Sequence, residues 1–244
     1  MLRISVNLFT LKHCSLFLLI LISAVSSPAQ SGREFDLGIT ASGKGIGFFF
    51  TTVKPYREGS KMLRSVELGN LRHPKEIDVI NTAIPNSSAY VFGKVNRAYV
   101  LRGLVGFKHM IAERKDRKSI GIQAQVLSGL SLAYMAPVYV DLLYVDNTSA
   151  YYRPTRYNPE LIPQFLIGGR SNFNYGLNEG QLIPGIHLRA GLLARWGNFR
   201  NDYKQIGCGI MLDAFSKSLP IMYRQEHKSV YSSFYLSFAL GYSD

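Results

Sequence analysis

The chain has 244 residues, 47% of them apolar and 18% charged, with 28 Lys and Arg against 16 Asp and Glu for a net charge of +12. After Ala29 no uninterrupted apolar run approaches the roughly 20 residues of a spanning helix. If the chain enters a membrane, only a closed barrel can carry it, because backbone groups in lipid must pair with one another.

The first segment reads as a secretory signal peptide over residues 1–29. Arg3 and Lys12 give a basic start, Leu16 to Val25 an apolar run, and Ser27 and Ala29 the small residues of a cleavage site. The alternative is an uncleaved N-terminal anchor. Cys14 lies before the apolar run, the wrong place for lipid attachment, and leaves with the segment. The mature chain then has one cysteine, Cys208, which cannot form an internal disulfide and reads as a small apolar side chain in a strand. Subtracting the two basic residues of the segment from +12 leaves +10. For an exported chain this charge suits anionic lipid headgroups or a solvated basic surface, and no nucleic acid is expected as a partner.

Eight segments then alternate with the two-residue period of a strand. Over 33–41, Phe35, Leu37, Ile39 and Ala41 oppose Glu34, Asp36, Gly38 and Thr40. A tight turn follows, and 45–53 sets Ile46, Phe48 and Phe50 against Gly45, Gly47, Phe49 and Thr51. In 61–69, Met62, Val66 and Leu68 are interrupted by Arg64 and oppose Ser65, Glu67 and Gly69. In 98–108, Tyr99, Leu101, Val105 and Phe107 oppose Arg102, Gly106 and Lys108. The pattern recurs over 118–133 and over 185–196, where His187, Arg189 and Arg195 oppose Leu188, Leu192 and Trp196. Residues 203–214 set Asp213 and two glycines against Ile206, Cys208 and Ile210. The last segment puts Val230, Phe234, Leu236, Phe238, Leu240 and Tyr242 on one face and mostly small or hydroxylated residues on the other.

The polar face separates a soluble sandwich from a membrane barrel. A sandwich would turn it to water, where Lys and Glu abound and glycine is disfavoured. Here it carries glycine, glutamine, serine and isolated charges of both signs, which suits a crowded barrel interior. No amphipathic helix or second sheet is left to cover the apolar face. The expectation is an all-β, eight-stranded antiparallel transmembrane β-barrel with a closed polar lumen, spanning 30–244 in the bacterial outer membrane. Connections at 54–60, 109–117 and 197–202 are short, as on the periplasmic side, whereas 70–97, 134–184 and 215–229 are long, as outside.

Three stretches carry a resemblance: the aromatic-rich final strand, Phe92-Gly93-Lys94-Val95-Asn96, and LSGLSLAYMAPVYV at 127–140. With these the chain resembles small outer-membrane β-barrel proteins of the Bacteroidota, from poorly characterised families. The resemblance implies fold and location and brings no catalytic motif. The usual terminal aromatic is displaced, since Ser243 and Asp244 follow Tyr242.

The lumenal residues expected are Glu34, Asp36, Glu67, Arg102, Lys108, His187, Arg189, Arg195 and Asp213. They would form either a gated polar path or, in a barrel only wide enough for side chains, a salt-bridged plug. Val230, Phe234, Leu236, Phe238 and Leu240 are expected to face lipid. Tyr139, Tyr144, Tyr151, Tyr152, Tyr157 and Tyr175 of the long external segment suit partner recognition, or an aromatic girdle at the headgroups. No cofactor or metal-ligand spacing is present. The expected role is a non-enzymatic, structural or partner-binding subunit of an outer-membrane assembly of the translocation or barrel-insertion type. The alternatives are a narrow pore and a lipid-modifying enzyme using Glu226, His227 and Ser229, whose adjacency in sequence does not establish a catalytic arrangement.

Overall fold

The computed structural model describes residues 32–113, 119–146, 149–197 and 201–243. The segment expected to be a signal peptide, 1–29 with Cys14, residues 114–118 of the expected periplasmic connection, and Asp244 lie outside the described residues.

Eight long strands close into one antiparallel barrel: β1 (Glu34–Ser42), β2 (Gly45–Arg57), β3 (Ser60–Leu71), β6 (Asn96–Ala112), β7 (Gly121–Pro137), β11 (Gln181–Gly197), β12 (Asp202–Phe215) and β13 (Val230–Ser243). Each pairs with its neighbour in the chain, and β1 closes the wall on β13, from Glu34 opposite Ser243 to Ser42 opposite Tyr235. Closure leaves no free sheet edge. Several strands outrun the alternating segments, because backbone pairing continues beyond the point where hydropathy stops alternating. The β2–β3 connection is therefore Glu58-Gly59 alone, and β6 runs on to Ala112.

Five short strands lie beyond the long-connection end. β4 (Asp78–Val79) pairs with β5 (Tyr90–Val91), and β8 (Tyr139–Val145), β9 (Ala150–Arg156) and β10 (Ile167–Arg170) form a three-stranded sheet. The segment expected as a long external loop is thus largely structured. Its first residues finish β7, its last residues, 181–184, start β11, and the VYVDLLYV stretch supplies β8, which pairs antiparallel with β9. Tyr90, Val138, Val140, Leu142, Tyr157 and Ile167 give this cap its own apolar core. Asn81 joins the two connections by donating to the carbonyls of Gln164, Phe165 and Ile167 at 3.1, 3.1 and 2.9 Å. Among the described residues no helix is long and apolar enough to cross a membrane, which says nothing of crossing by strands.

The interior is layered, with apolar layers alternating with the charged ones. Along β3, Lys61, Leu63, Glu67 and Leu71 follow one another on the inward face. Leu63 meets Val53, Leu104 and Leu127 in an apolar layer between two charged ones. At the mouth, Leu71, Val100, Met135, Ile183 and Phe215 surround Leu219, Ile221 and Met222, which the β12–β13 connection tucks inward. The 93–96 stretch holds that plug: Ile221 O accepts from Val95 N and Asn96 N at 3.0 and 3.3 Å, and Asn96 Nδ2 donates to Pro220 O at 2.7 Å. Apolar inward residues such as Val100 and Leu104 pass unnoticed in a hydropathy pattern, since they occupy the polar parity.

Candidate functional site

Alternation gives the outside of the barrel an apolar belt to which each of the eight strands contributes. Leu37, Phe48, Leu68, Val105, Leu130, Leu188, Ile210 and Leu236 all lie exposed around the closed wall. Phe234 is 81% exposed and Leu130 73%. Val230, Phe234, Leu236, Phe238 and Leu240 point outward along β13, and Cys208 is exposed on β12. Arg64 also points outward, beside Thr52 and Val105 in the neighbouring strands.

The inward face is the opposite. The nine charged or titratable residues expected inside are drawn into two separate clusters. In the upper one, Arg102 of β6 donates from Nε to Asp213 Oδ1 at 3.0 Å and from Nη2 to Asp213 Oδ2 at 2.8 Å. Its third donor, Nη1, reaches Glu67 Oε1 at 2.6 Å. Glu67 Oε2 accepts from Arg189 Nη2 at 2.6 Å, and His187 Nδ1 stands 2.7 Å from Asp213 Oδ1. Two guanidinium groups thus balance two carboxylates, all buried.

In the lower cluster Glu34 is the hub. It accepts from Lys61 at 2.5 Å, Arg195 at 2.8 Å and Lys108 at 2.9 Å. Tyr203 donates to Asp36 Oδ1 at 2.5 Å, and Arg195 lies over the Tyr203 ring, 3.4 Å from its centroid. Charges taken out of water are tolerated when paired in this way with their remaining hydrogen bonds filled.

Three participants were missed by reading charges alone. Lys61 has the inward parity of Ser65 and Glu67, so the strand period could have found it. The tyrosines Tyr203 and Tyr235 have the inward parity of their strands, but their rings were not counted with the charged residues. Gln125 Nε2 donates to Tyr235 Oη at 3.0 Å, and Arg189 lies 4.9 Å from the Tyr235 ring centroid. Glycine makes their room: a Cβ at Gly241 would strike the Tyr203 ring, and one at Gly191 would strike the Tyr235 hydroxyl. Interior glycines here admit aromatic rings as much as they relieve curvature.

The cap tyrosines divide. Tyr144, Tyr151, Tyr152 and Tyr175 are exposed, and Tyr139 is half-buried against Tyr175, with ring centroids 5.9 Å apart. Tyr157 presents no contact surface, a correction to its place among the recognition residues. It is 3% exposed, packs edge-on to Tyr90 and accepts from Gly93 N at 3.2 Å. Large apolar side chains unremarked in the sequence, Ile77, Ile80, Phe92, Leu161 and Phe165, stand exposed on the cap connections instead.

Glu226, His227 and Ser229 do not assemble. All belong to the β12–β13 connection, but Glu226 pairs with Lys228 at 3.7 Å. Among the described residues no hydrogen bond joins His227 to either of the others. The arrangement lacks the base–nucleophile contact that hydroxyl activation requires. Among the described residues no group of three or more His, Cys, Asp or Glu side chains is placed to hold a metal.

No family model matches the chain, and no curated protein matches it. Among solved structures it is similar to the N-terminal β-barrel domain of Pseudomonas aeruginosa OprF, at 8% identity and a TM-score of 0.37, over 89% of this chain and 100% of that one. The barrel described here rests on its own strand register.

Proposed function

We propose that this chain is an integral outer-membrane barrel with a closed interior, acting without catalysis as a partner-binding subunit of a larger outer-membrane assembly. The observation that carries the membrane reading is the inversion of the wall. Two ion-pair clusters lie inside, and a predominantly apolar belt faces out on all eight strands. Water would not tolerate so large an exposed apolar surface on a monomer, whereas lipid requires it. The paired interior and the plugged mouth favour a barrel that does not conduct. Small outer-membrane barrels of the Bacteroidota are the kind of protein this reading describes, in contact with lipid and its anionic headgroups.

The partner-binding role rests on the cap. It has its own apolar core, yet it leaves Ile77, Ile80, Phe92, Leu161, Phe165 and four tyrosines exposed. Aromatic and apolar side chains grouped above a membrane suit recognition of a protein. The test replaces 139–180 by a short Gly/Ser linker. The barrel should still show heat-modifiable migration and fractionate with the outer membrane, while proteins co-purifying from mild detergent are lost. Retention of the same partners in the same amounts would move the interaction to the wall. Recovery of the wild type in a soluble fraction would remove the membrane reading.

A further inference from the structure

A second feature of the mouth belongs neither to the buried clusters nor to the apolar patch of the cap. Beside the start of β6, a cleft of about 700 Å3 opens between the end of β3, the connection leading to β5, and the residues that follow β10. Its walls carry Arg72, Lys94, Arg97 and Arg170, and no lining residue is acidic.

The charges are unequal in what surrounds them. Lys94 is neutralised by Glu76 at 2.6 Å. Arg97 is held by neutral acceptors: it donates to Tyr175 O at 2.7 Å and to Phe173 O at 3.1 Å, and lies 5.0 Å from the Phe173 ring centroid. Those contacts fix the guanidinium without cancelling its charge. Arg72 and Arg170 are exposed, and among the described residues neither has a carboxylate within ion-pair distance. Three uncompensated cations therefore converge on one cleft.

Two buried polar atoms in the same walls are left without a partner: Ser171 Oγ and Arg97 Nε. Ser171 is only 6% exposed. A buried donor without a partner is unfavourable, and a bound acceptor relieves it. The wall that presents them is pre-formed. Gly169, at φ +140, lies so close to Ser88 that a Cβ would collide with it, and Ser88 N donates to Gly168 O at 2.9 Å. That contact sets Arg170 and Ser171 opposite Arg72 and Arg97. Tyr99 packs edge-on to Phe173, with centroids 6.1 Å apart, and gives the cleft an apolar flank.

We infer that this cleft binds a phosphate monoester carried on a larger molecule, with Arg72, Arg97 and Arg170 as the charge-bearing donors and Ser171 as a neutral one. A phosphate monoester carries close to two negative charges and three acceptor oxygens, which matches several convergent guanidinium donors better than a single carboxylate does. Arginine suits this geometry because its planar fork can meet two oxygens at once. The aromatic flank then contacts the organic part. The same group is offered by an anionic lipid headgroup and by a soluble phosphorylated sugar or glycerol. The site itself stands on the cleft alone, and only its lipid source rests on the membrane reading.

The test uses the full folded chain in maltoside micelles and calorimetric titration with two probes, glycerol 3-phosphate and phosphatidic acid supplied in mixed micelles. Either probe should bind, and Arg72→Gln and Arg170→Gln should each weaken binding by about tenfold, the effect of one charge-assisted contact. Lys217→Gln, at an exposed lysine outside the cleft, should bind as the wild type does. Binding of both probes assigns a soluble or shared source, and binding of phosphatidic acid alone assigns a lipid one. Heat-modifiable migration of each variant confirms that its barrel is intact, and membrane fractionation separately reports the membrane reading. Failure of both probes to bind the folded wild type overturns the site. So does binding that is equally weakened by Lys217→Gln, or unchanged in both arginine variants.

Discussion

Arg102 on β6 holds Asp213 on β12 across the barrel by two hydrogen bonds of 3.0 and 2.8 Å, and spends its remaining donor on Glu67 of β3 at 2.6 Å. β12, which neighbours neither β6 nor β3 in the wall, is thereby tied to that adjacent pair through the interior. One guanidinium serves two buried carboxylates, so its loss leaves Glu67 to Arg189 alone and Asp213 with only His187 beside it.

Arg102→Ala should therefore destabilise the barrel by about 3–5 kcal/mol, the usual consequence of leaving a buried charge without its partner. Arg102→Lys should recover only part of this, because an ammonium lacks the planar fork that meets both oxygens of Asp213. Urea unfolding, followed by the heat-modifiable shift, measures both. Wild-type stability in Arg102→Ala would mean that the pairing is ornamental.

The interior should also be silent electrically. With Glu34 and Glu67 each gripped by two or more cations, and Leu219 and Ile221 seated in the mouth, purified protein in planar bilayers should give no steady conductance. Stable single-channel steps from the wild type would promote the pore reading.

The plug itself is open to a packing test. Leu219 and Ile221 are each 1% exposed, so truncating either to alanine should cost about 2–5 kcal/mol. Thermal unfolding of the purified variants gives the values. A loss below about 1 kcal/mol at both sites would show that the β12–β13 connection is not docked in the mouth.

On the wall, Phe234→Arg or Leu130→Arg should destabilise insertion by about 2–4 kcal/mol if the position lies near the bilayer midplane. Arg64 already faces outward, so Arg64→Leu should be neutral or stabilising. Cys208 should resist a membrane-impermeant maleimide in intact cells, and its ready labelling would contradict a lipid-facing β12.

Changing His227 and Ser229 together to alanine should leave every phenotype of the protein untouched, since the two share no hydrogen bond in the folded chain. Loss of a lipid modification in that variant, with the barrel still folded, would restore the enzyme reading.

The strand period by itself determined a good deal. Inward and outward residues of β7, β11, β12 and β13 could be told apart from alternation alone, because a strand has only two faces and every second residue returns to the same one. Up-and-down order followed from connection lengths, since neighbouring antiparallel strands need only a turn. What the period cannot carry is the third dimension of the interior. That Arg102 chooses Asp213 and Glu67, whereas Arg195 and Lys108 choose Glu34, depends on strand stagger around a closed wall, which sets the height of each side chain. Tertiary structure alone decided that the Tyr203 and Tyr235 rings sit against Gly241 and Gly191, that Tyr157 is buried in the cap, and that Leu219 and Ile221 fill the mouth. Each of those is a contact between segments far apart in sequence, and hydropathy along one strand has no knowledge of what stands opposite it.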